Sequence, residues 1–445
     1  MTTTKSAIGL FLAWCLLLVS SPAAANRRGY PPEEFIARRK ALAEKLGGRG
    51  IVLLMGKTMP AVVGRFVQDN DFYYFTGNED LNAALLMNAA TGATILFLPR
   101  QDTSELRSDG PNWLADADAP KKLGFDSIQG IDMLTETMAR WRGNGGPQTL
   151  WLRLSEADEV SDGRRDKALY LGRRFKHPFG VASEEALRIE LIRQRYPYYG
   201  LEDLTPVIDR LRMIKSPREI EILKTNGRIS AESIVKAIRA TRVGGWEYEI
   251  EAEATAHQLR NGIQVAGYPA IVGSGAKGLI WHYNDNGKRL EAGETIVMDY
   301  GGSLDYQVID ITRTWPVSGV FDAEQRRAYE CVLEAQKAII AAMRPGATRD
   351  QTREISKAVY KKWGFDDKNA GGAGHFVGMA VHDVGDPGLV FEPGMVIAVE
   401  PILEITERNL HVRIEDTVLI TEGGPLVLTA AVPKEVEELL ALLRK

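Results

Sequence analysis

The chain has 445 residues, 26% of them charged and 44% hydrophobic, and a formal net charge of −4. This is the composition of a globular protein of two or three domains with a large core, and it excludes a disordered chain, a collagen and a membrane bundle. The 55 Lys and Arg against 59 Asp and Glu leave no basic excess for phosphate contacts, which argues against a nucleic-acid partner.

At the N-terminus Lys5 precedes the apolar run Ala7 to Val19, followed by Ser20-Ser21-Pro22 and the small residues Ala23-Ala24-Ala25. That order reads as a signal peptide over residues 1–25, so the protein is expected to be exported, periplasmic or secreted, after cleavage near Ala25. The run is too short for a roughly 30 Å hydrocarbon core and no later segment is long enough, so no stable membrane insertion is expected. Cleavage removes Lys5 and Cys15 and leaves 54 basic against 59 acidic side chains, a charge of −5, with Cys331 as the one cysteine. A single thiol excludes an internal disulfide, so stability must come from the core and from bound metal.

Residues 26–200 mix helical and strand signals and predict an α/β domain. Glu34 to Leu46 reads as a short amphipathic helix, Ile51 to Met55 as an apolar strand, and Leu81 to Leu98 as a hairpin turning at Asn88 to Gly92. Between Ser155 and Arg174 charge rises and periodicity fades, which predicts a surface connection leading to a boundary near Tyr196-Pro197-Tyr198-Tyr199-Gly200.

Residues 201–445 follow a different pattern. Ser216-Pro217-Arg218-Glu219 is a capping box with proline at the first helical position, and a second helix covers Tyr248 to Leu259. Strands follow at Ala270–Val272, Thr295–Met298 and Val308–Thr312. The order then recurs: helices from Asp322 to Met343 and from Thr348 to Trp363, then strands at Val396–Val399 and Val412–Ile420. Two helices then strands, twice, predict a domain of two similar halves, although no residue-level repeat is visible.

Four acids stand in or at the ends of these strands. Asp299 ends Thr295–Met298, Asp310 follows Val308-Ile309 with Gly301-Gly302 able to turn the chain between them, Glu400 ends Val396–Val399, and Glu415 lies inside Val412–Val418. An aspartate after an apolar strand is usually only a turn or a cap. Four converging buried carboxylates, however, would mostly protonate unless cations neutralised them. Of the six histidines, His375 and His382 share the Gly-rich stretch from Gly371 to Asp383, and His282 lies in Trp281-His282-Tyr283. Four carboxylates and an imidazole are too many ligands for one tetrahedral zinc and suit two bridged ions, with oxygen-rich coordination favouring Mn²⁺. Two ions about 3.5–4 Å apart can ionise a water between them and stabilise the oxyanion at an attacked carbonyl.

The blocks GETIVMDYGG, VIDITRTWPVSGVF, GHFVGMAVHD, PGMVIAVEP and HVRIEDTVLIT resemble the metal-binding blocks of the Xaa-Pro peptidase family, the aminopeptidase P and prolidase group of pita-bread metallopeptidases. Phe35 to Lys40 and Arg65 to Gly77 resemble that family's creatinase-like N-terminal domain, so the likeness covers nearly all of the mature chain. It implies an α/β (α+β) fold: a creatinase-like domain over 26–200 and a pita-bread catalytic domain over 201–445. It also implies that Asp299, Asp310, His375, Glu400 and Glu415 ligate two divalent ions, usually Mn²⁺, with Zn²⁺ or Co²⁺ as alternatives. Glu400 would shuttle a proton to the leaving nitrogen, His382 and His282 would hold the substrate carbonyl, and Arg413 would support the ligands from behind. The implied partners are proline-containing peptides and further copies of the chain, in a homodimer or tetramer.

Two departures stand out. Gly371 occupies a position where the family often has histidine, and Ile402 follows Pro401 where glycine is common. An Xaa-Pro bond is a tertiary amide without an N–H, which defeats peptidases that grip that hydrogen and calls for a dedicated pocket. A dipeptidase must also neutralise the proline carboxylate, for which arginine is the natural partner. Asp383 to Pro393 reads DVGDPGLVFEP, without Lys or Arg, so the aminopeptidase reading is preferred to prolidase and to a non-catalytic peptide-binding protein on the same fold.

Overall fold

The computed structural model describes residues 29–444, apart from 59–64, 144, 175, 177–179, 181, 372–373 and 387. The expected signal segment and its cleavage site lie outside the described residues. No described helix is long and apolar enough to cross a membrane.

The first unit is a six-stranded mixed sheet in the order Ser127–Gly130, Thr94–Leu98, Ala84–Asn88, Ile51–Met55, Thr149–Leu152, Gly200–Asp203. The hairpin Ala84–Asn88/Thr94–Leu98 turns where the sequence places it. Its central strand Ile51–Met55 is apolar throughout because both faces are covered, and Ile51 and Leu53 pack on the opposite side from Val52 and Leu54. The edge strand Gly200–Asp203 still pairs with Thr149–Leu152, so this sheet closes at Asp203.

The second unit opens with the helix Pro217–Ala240. Ser216 Oγ accepts from the Glu219 amide at 3.2 Å and Glu219 returns the bond to Ser216 N at 2.8 Å, so the capping box forms as read. Helices Glu247–Arg260, Ala323–Ala342 and Arg349–Trp363 also lie where the periodicity puts them. The helices Pro217–Ala240 and Ala323–Ala342 bury aliphatic faces, with Ile234 and Val332 fully enclosed, against sheets carrying Trp315 and Val412.

The two halves repeat one device. In the first, strand Thr295–Asp299 pairs with Thr312–Pro316, and between them the chain leaves that sheet for a second, where Gly302–Leu304 pairs with Gln307–Val308. In the second, Val396–Val399 pairs with Asp416–Thr421, and between them Ile402–Ile405 pairs with Leu410–Arg413 in another sheet. Each half is thus one long hairpin that changes sheets midway. This corrects two readings. Val308–Thr312 is not one strand but two strand ends around Ile309 to Ile311, and Val412–Ile420 breaks at Ile414-Glu415. Nor does Gly301-Gly302 form the turn: the hairpin turns at Asp305-Tyr306, with φ of 45° and 65°. Gly301 is needed because a Cβ there would stand 1.7 Å from Ile309 O.

The left-handed turn presents Tyr306 to the first unit, where its ring stacks on Tyr73 at 3.5 Å between centroids. A buried charge network joins the units as well. Arg212 contacts Asp71 at 2.8 Å, Asp158 at 2.5 Å and Asp383 at 2.6 Å, and Lys215 contacts Asp383 at 2.9 Å. Arg153 and Arg164 each reach Asp71 at 2.9 Å. The charged segment Ser155 to Arg174, largely at the surface as read, is more than a connection. It carries the buried Asp158 and the helix Arg164–Arg174, and Val160 O accepts a backbone bond from Val381 N at 2.9 Å.

Candidate active site

The four acids stand where the two hairpins change sheets. Asp299 is the last residue of its strand, Asp310 lies between Gln307–Val308 and Thr312–Pro316, Glu400 follows Val396–Val399, and Glu415 precedes Asp416–Thr421. At these corners backbone pairing is interrupted and side chains from both sheets converge. The halves are latched reciprocally. Thr312 Oγ1 donates to Glu415 Oε2 at 2.7 Å, while Thr417 Oγ1 donates to Asp310 O at 2.7 Å and accepts from Asp310 N at 3.0 Å. Each threonine stands two residues after its own half's acid and holds the acid of the other half. The repeated acid-x-Thr pattern, Asp310-x-Thr312 and Glu415-x-Thr417, is the internal repeat that the sequence reading missed.

Asp310, His375 and Glu415 offer ligand atoms that all lie within 4.8 Å of one another. His375 Nε2 is 3.3 Å from Asp310 Oδ2 and 3.8 Å from Glu400 Oε1, while Nδ1 lies 3.1 Å from Phe376 O, so the tautomer with hydrogen on Nδ1 turns Nε2 to the acids. Asp299 joins through Tyr268, whose hydroxyl is 2.6 Å from Asp299 Oδ1 and 2.7 Å from Asp310 Oδ1. One phenolic proton cannot satisfy both acceptors. Arg413 Nη2 donates to Asp299 Oδ2 at 2.8 Å.

The electrostatics record a shortage of positive charge. Burial, then repulsion from Asp310, pushes the Asp299 carboxyl up to about 8 against the pull of Arg413. Burial and the same neighbour raise Glu415 well above the carboxylate range. Burial would raise Asp310, but its hydrogen bonds to His375 and Tyr268 and the nearby imidazole together hold it below its usual value; burial would lower His375, but Asp310 and Glu400 together raise it to about 9. Glu415 Oε1 is buried without a partner among the described residues. An orphaned carboxylate oxygen, a Tyr268 hydroxyl shared between two acids and an oxygen-rich set with one imidazole fit hard divalent cations.

A cleft of about 450 Å³ opens above this cluster and is lined by His282, Asp299, Asp310, His375, His382, Glu400 and Arg413, so every predicted site residue but Glu415 meets it. Glu415 lies beneath, 1% exposed. His282 is held below its usual value by burial and then by Arg413. The rings of His375 and His382 meet edge to face at 4.3 Å.

Three lining residues were not read from the sequence. Tyr268 bridges two acids. Trp281 is fixed by its Nε1 bond to Glu404 at 2.7 Å. Asp166, from the helix Arg164–Arg174, stands 2.7 Å from His382 Nδ1; burial would raise its carboxyl, but this bond, the two neighbouring imidazoles and the Gly163 amide together keep it below its usual range. The tight approach of that segment explains Gly163, where a Cβ would lie 1.8 Å from His382 O. Of the two departures, Ile402 is buried as the central-strand partner of both Gly371 and Arg413, and Gly371 leaves open space beside Trp281, the nearest atom to its missing Cβ at 3.7 Å.

The profile of metallopeptidase family M24 matches residues 221–422, and that of the aminopeptidase P N-terminal domain matches residues 35–151. The Xaa-Pro aminopeptidase of Escherichia coli is 31% identical over 92% of this chain and 97% of its own length. That of Haemophilus influenzae is 30% identical over 92% and 96%. Aminopeptidase P from E. coli with the inhibitor Pro-Leu superposes with a TM-score of 0.77 at 27% identity, covering 93% of this chain and 98% of the other. The sheet-changing hairpins, the acids at their corners and these likenesses together make this chain a member of the Xaa-Pro aminopeptidase family of M24 metallopeptidases.

Proposed function

We propose that the chain hydrolyses the Xaa-Pro bond at the N-terminus of peptides, with Asp299, Asp310, His375, Glu400 and Glu415 holding two divalent ions, Mn²⁺ by preference. The observation that carries this reading is the buried acid cluster short of its own cations, opening onto a cleft that also presents two histidines. Such ions supply Lewis acidity, which ionises a water near neutral pH and offsets charge growing on a carbonyl oxygen.

The chain's own groups complete the reaction. Glu400, a fifth exposed at the cleft, accepts the proton of the attacking water and returns it to the proline nitrogen, which has no hydrogen of its own. Asp166 accepts from His382 Nδ1, and Nε2 of the same ring donates to the substrate carbonyl when both ring nitrogens carry a hydrogen. His282, disfavoured as a cation by burial, serves as a neutral hydrogen-bonding group for the peptide unit after proline. Arg413 fixes Asp299 in place and offsets part of the cluster's charge. Export after removal of residues 1–25 and assembly into a dimer or tetramer belong to the same reading and rest on the signal-like N-terminus and on family likeness.

The test is a matched pair of substrates, Ala-Pro and Ala-Pro-Ala, on one Mn²⁺-loaded preparation. The extended peptide should have the higher kcat/KM, because the dipeptide brings a carboxylate into an acidic cleft at a cost of about 1–3 kcal/mol. A clear preference for the dipeptide would move the assignment to prolidase.

A further inference from the structure

A second groove, of about 610 Å³, runs along the helix Arg349–Trp363 and reaches Gly371. Arg349, Arg353, Lys357 and Lys361 line it at four-residue intervals, against the one acid Asp366, in a chain whose net charge is −4. Twelve residues of helix set these cations along about 18 Å, the reach of roughly five extended residues.

Solvated helix faces carry such stripes without function, but two observations set this one apart. Arg349 opens the helix, where the exposed peptide N–H groups disfavour a cation. Its Nε is buried without a partner, and neither Arg349 nor Arg165 pairs with a carboxylate among the described residues. Burial, Arg353 and Arg165 hold the Arg349 guanidinium below its usual range while Glu400 pulls the other way. Arg353 and Lys357 do touch Asp350 at 3.0 Å and Glu354 at 2.7 Å, but these are exposed pairs one helical turn apart and hold little energy.

Gly371 connects groove and cleft. It lines the groove, and the nearest atom to its missing Cβ, at 3.7 Å, belongs to Trp281 of the cleft. We infer that the groove receives the segment of peptide downstream of the scissile Xaa-Pro bond and selects acidic side chains there. The inference rests on the aminopeptidase reading, and the class of substrate it names is an Xaa-Pro peptide with a carboxylate-rich tail.

The test uses the metal-loaded full chain and fluorescent product peptides of the form Pro-Ala-Gly followed by three Glu, three Gln or three Lys, amidated at the C-terminus, with binding read by anisotropy. The Glu tail should bind about five-fold more tightly than the Gln tail at low salt, and the Lys tail less tightly than either. In R353E/K357E, which alters only exposed positions, the order of Glu and Lys tails should reverse. Equal affinity for Glu and Gln tails in the wild type, or an unchanged order in the variant, would overturn the inference. Failure of the enzyme to cleave Ala-Pro-Ala would sink the aminopeptidase reading instead, and the binding comparison would still decide the groove.

Discussion

Two buried acid clusters lie within this chain and solve the same problem differently. Asp69, Asp71, Asp158 and Asp383 are matched by Arg153, Arg164, Arg212 and Lys215, and there Arg164 and Arg212 hold Asp71 far below its usual range in spite of burial. Among the described residues, Asp299, Asp310, Glu400 and Glu415 have only Arg413 and His375 as close cationic contacts, and there burial wins at two of them, raising Asp299 and Glu415. The first cluster carries its cations in the sequence and welds the two units together. The second is left short of positive charge, and that deficit is what a divalent ion would fill.

The largest expected effect comes from removing metal. Chelation should abolish hydrolysis, Mn²⁺ should restore it, and Asp310→Asn should lose metal by elemental analysis. Breaking the paired cluster instead should cost stability: Arg212→Met leaves three aspartates without their central cation, about 3–5 kcal/mol by denaturant melts that added Mn²⁺ does not recover. Glu400→Gln should lower kcat about 10²–10⁴-fold at matched metal loading, and His382→Ala should reduce turnover with the metal retained. Asp166→Asn should cost less, about ten-fold in kcat.

The clusters should also differ in pH dependence. Asp71 and Asp383 are depressed in the fold, so their contribution is present above the ordinary carboxylate value near 4 and is lost as pH falls below it. Asp299 at about 8 and His375 at about 9 are raised, so without metal their protonated forms favour the fold at low pH and that stability drains as pH climbs toward 9. Metal-free protein should therefore melt at lower temperature at pH 8.5 than at pH 6, and metal should reverse the trend. Identical melting at both pH values without metal would show that the acid cluster is neutralised from within.

The acids of the candidate site were legible because an acid closing an apolar strand is conspicuous: Asp299 follows Ile296-Val297-Met298 and Glu400 follows Val396–Val399. The capping box at Ser216 and the helix stopped before Pro345 were legible for local reasons. What escaped is long-range. Glu415 read as a strand residue because a change of sheet leaves no composition signal, and Tyr268 looks like any buried aromatic. Asp158, Arg164 and Asp166 read as surface charge, since their partners Arg212, Asp71 and His382 lie 54, 93 and 216 residues away in sequence.

The most direct measurement is hydrolysis of Ala-Pro-Ala by chelator-stripped enzyme, with bound metal counted as Mn²⁺ is returned. The account predicts no turnover without metal, activity that rises to a plateau near two ions per chain, and a melting temperature that rises with it, by about 2.7 kcal/mol of added stability at one hundred times the dissociation constant. Full turnover from a chain carrying no metal would contradict it.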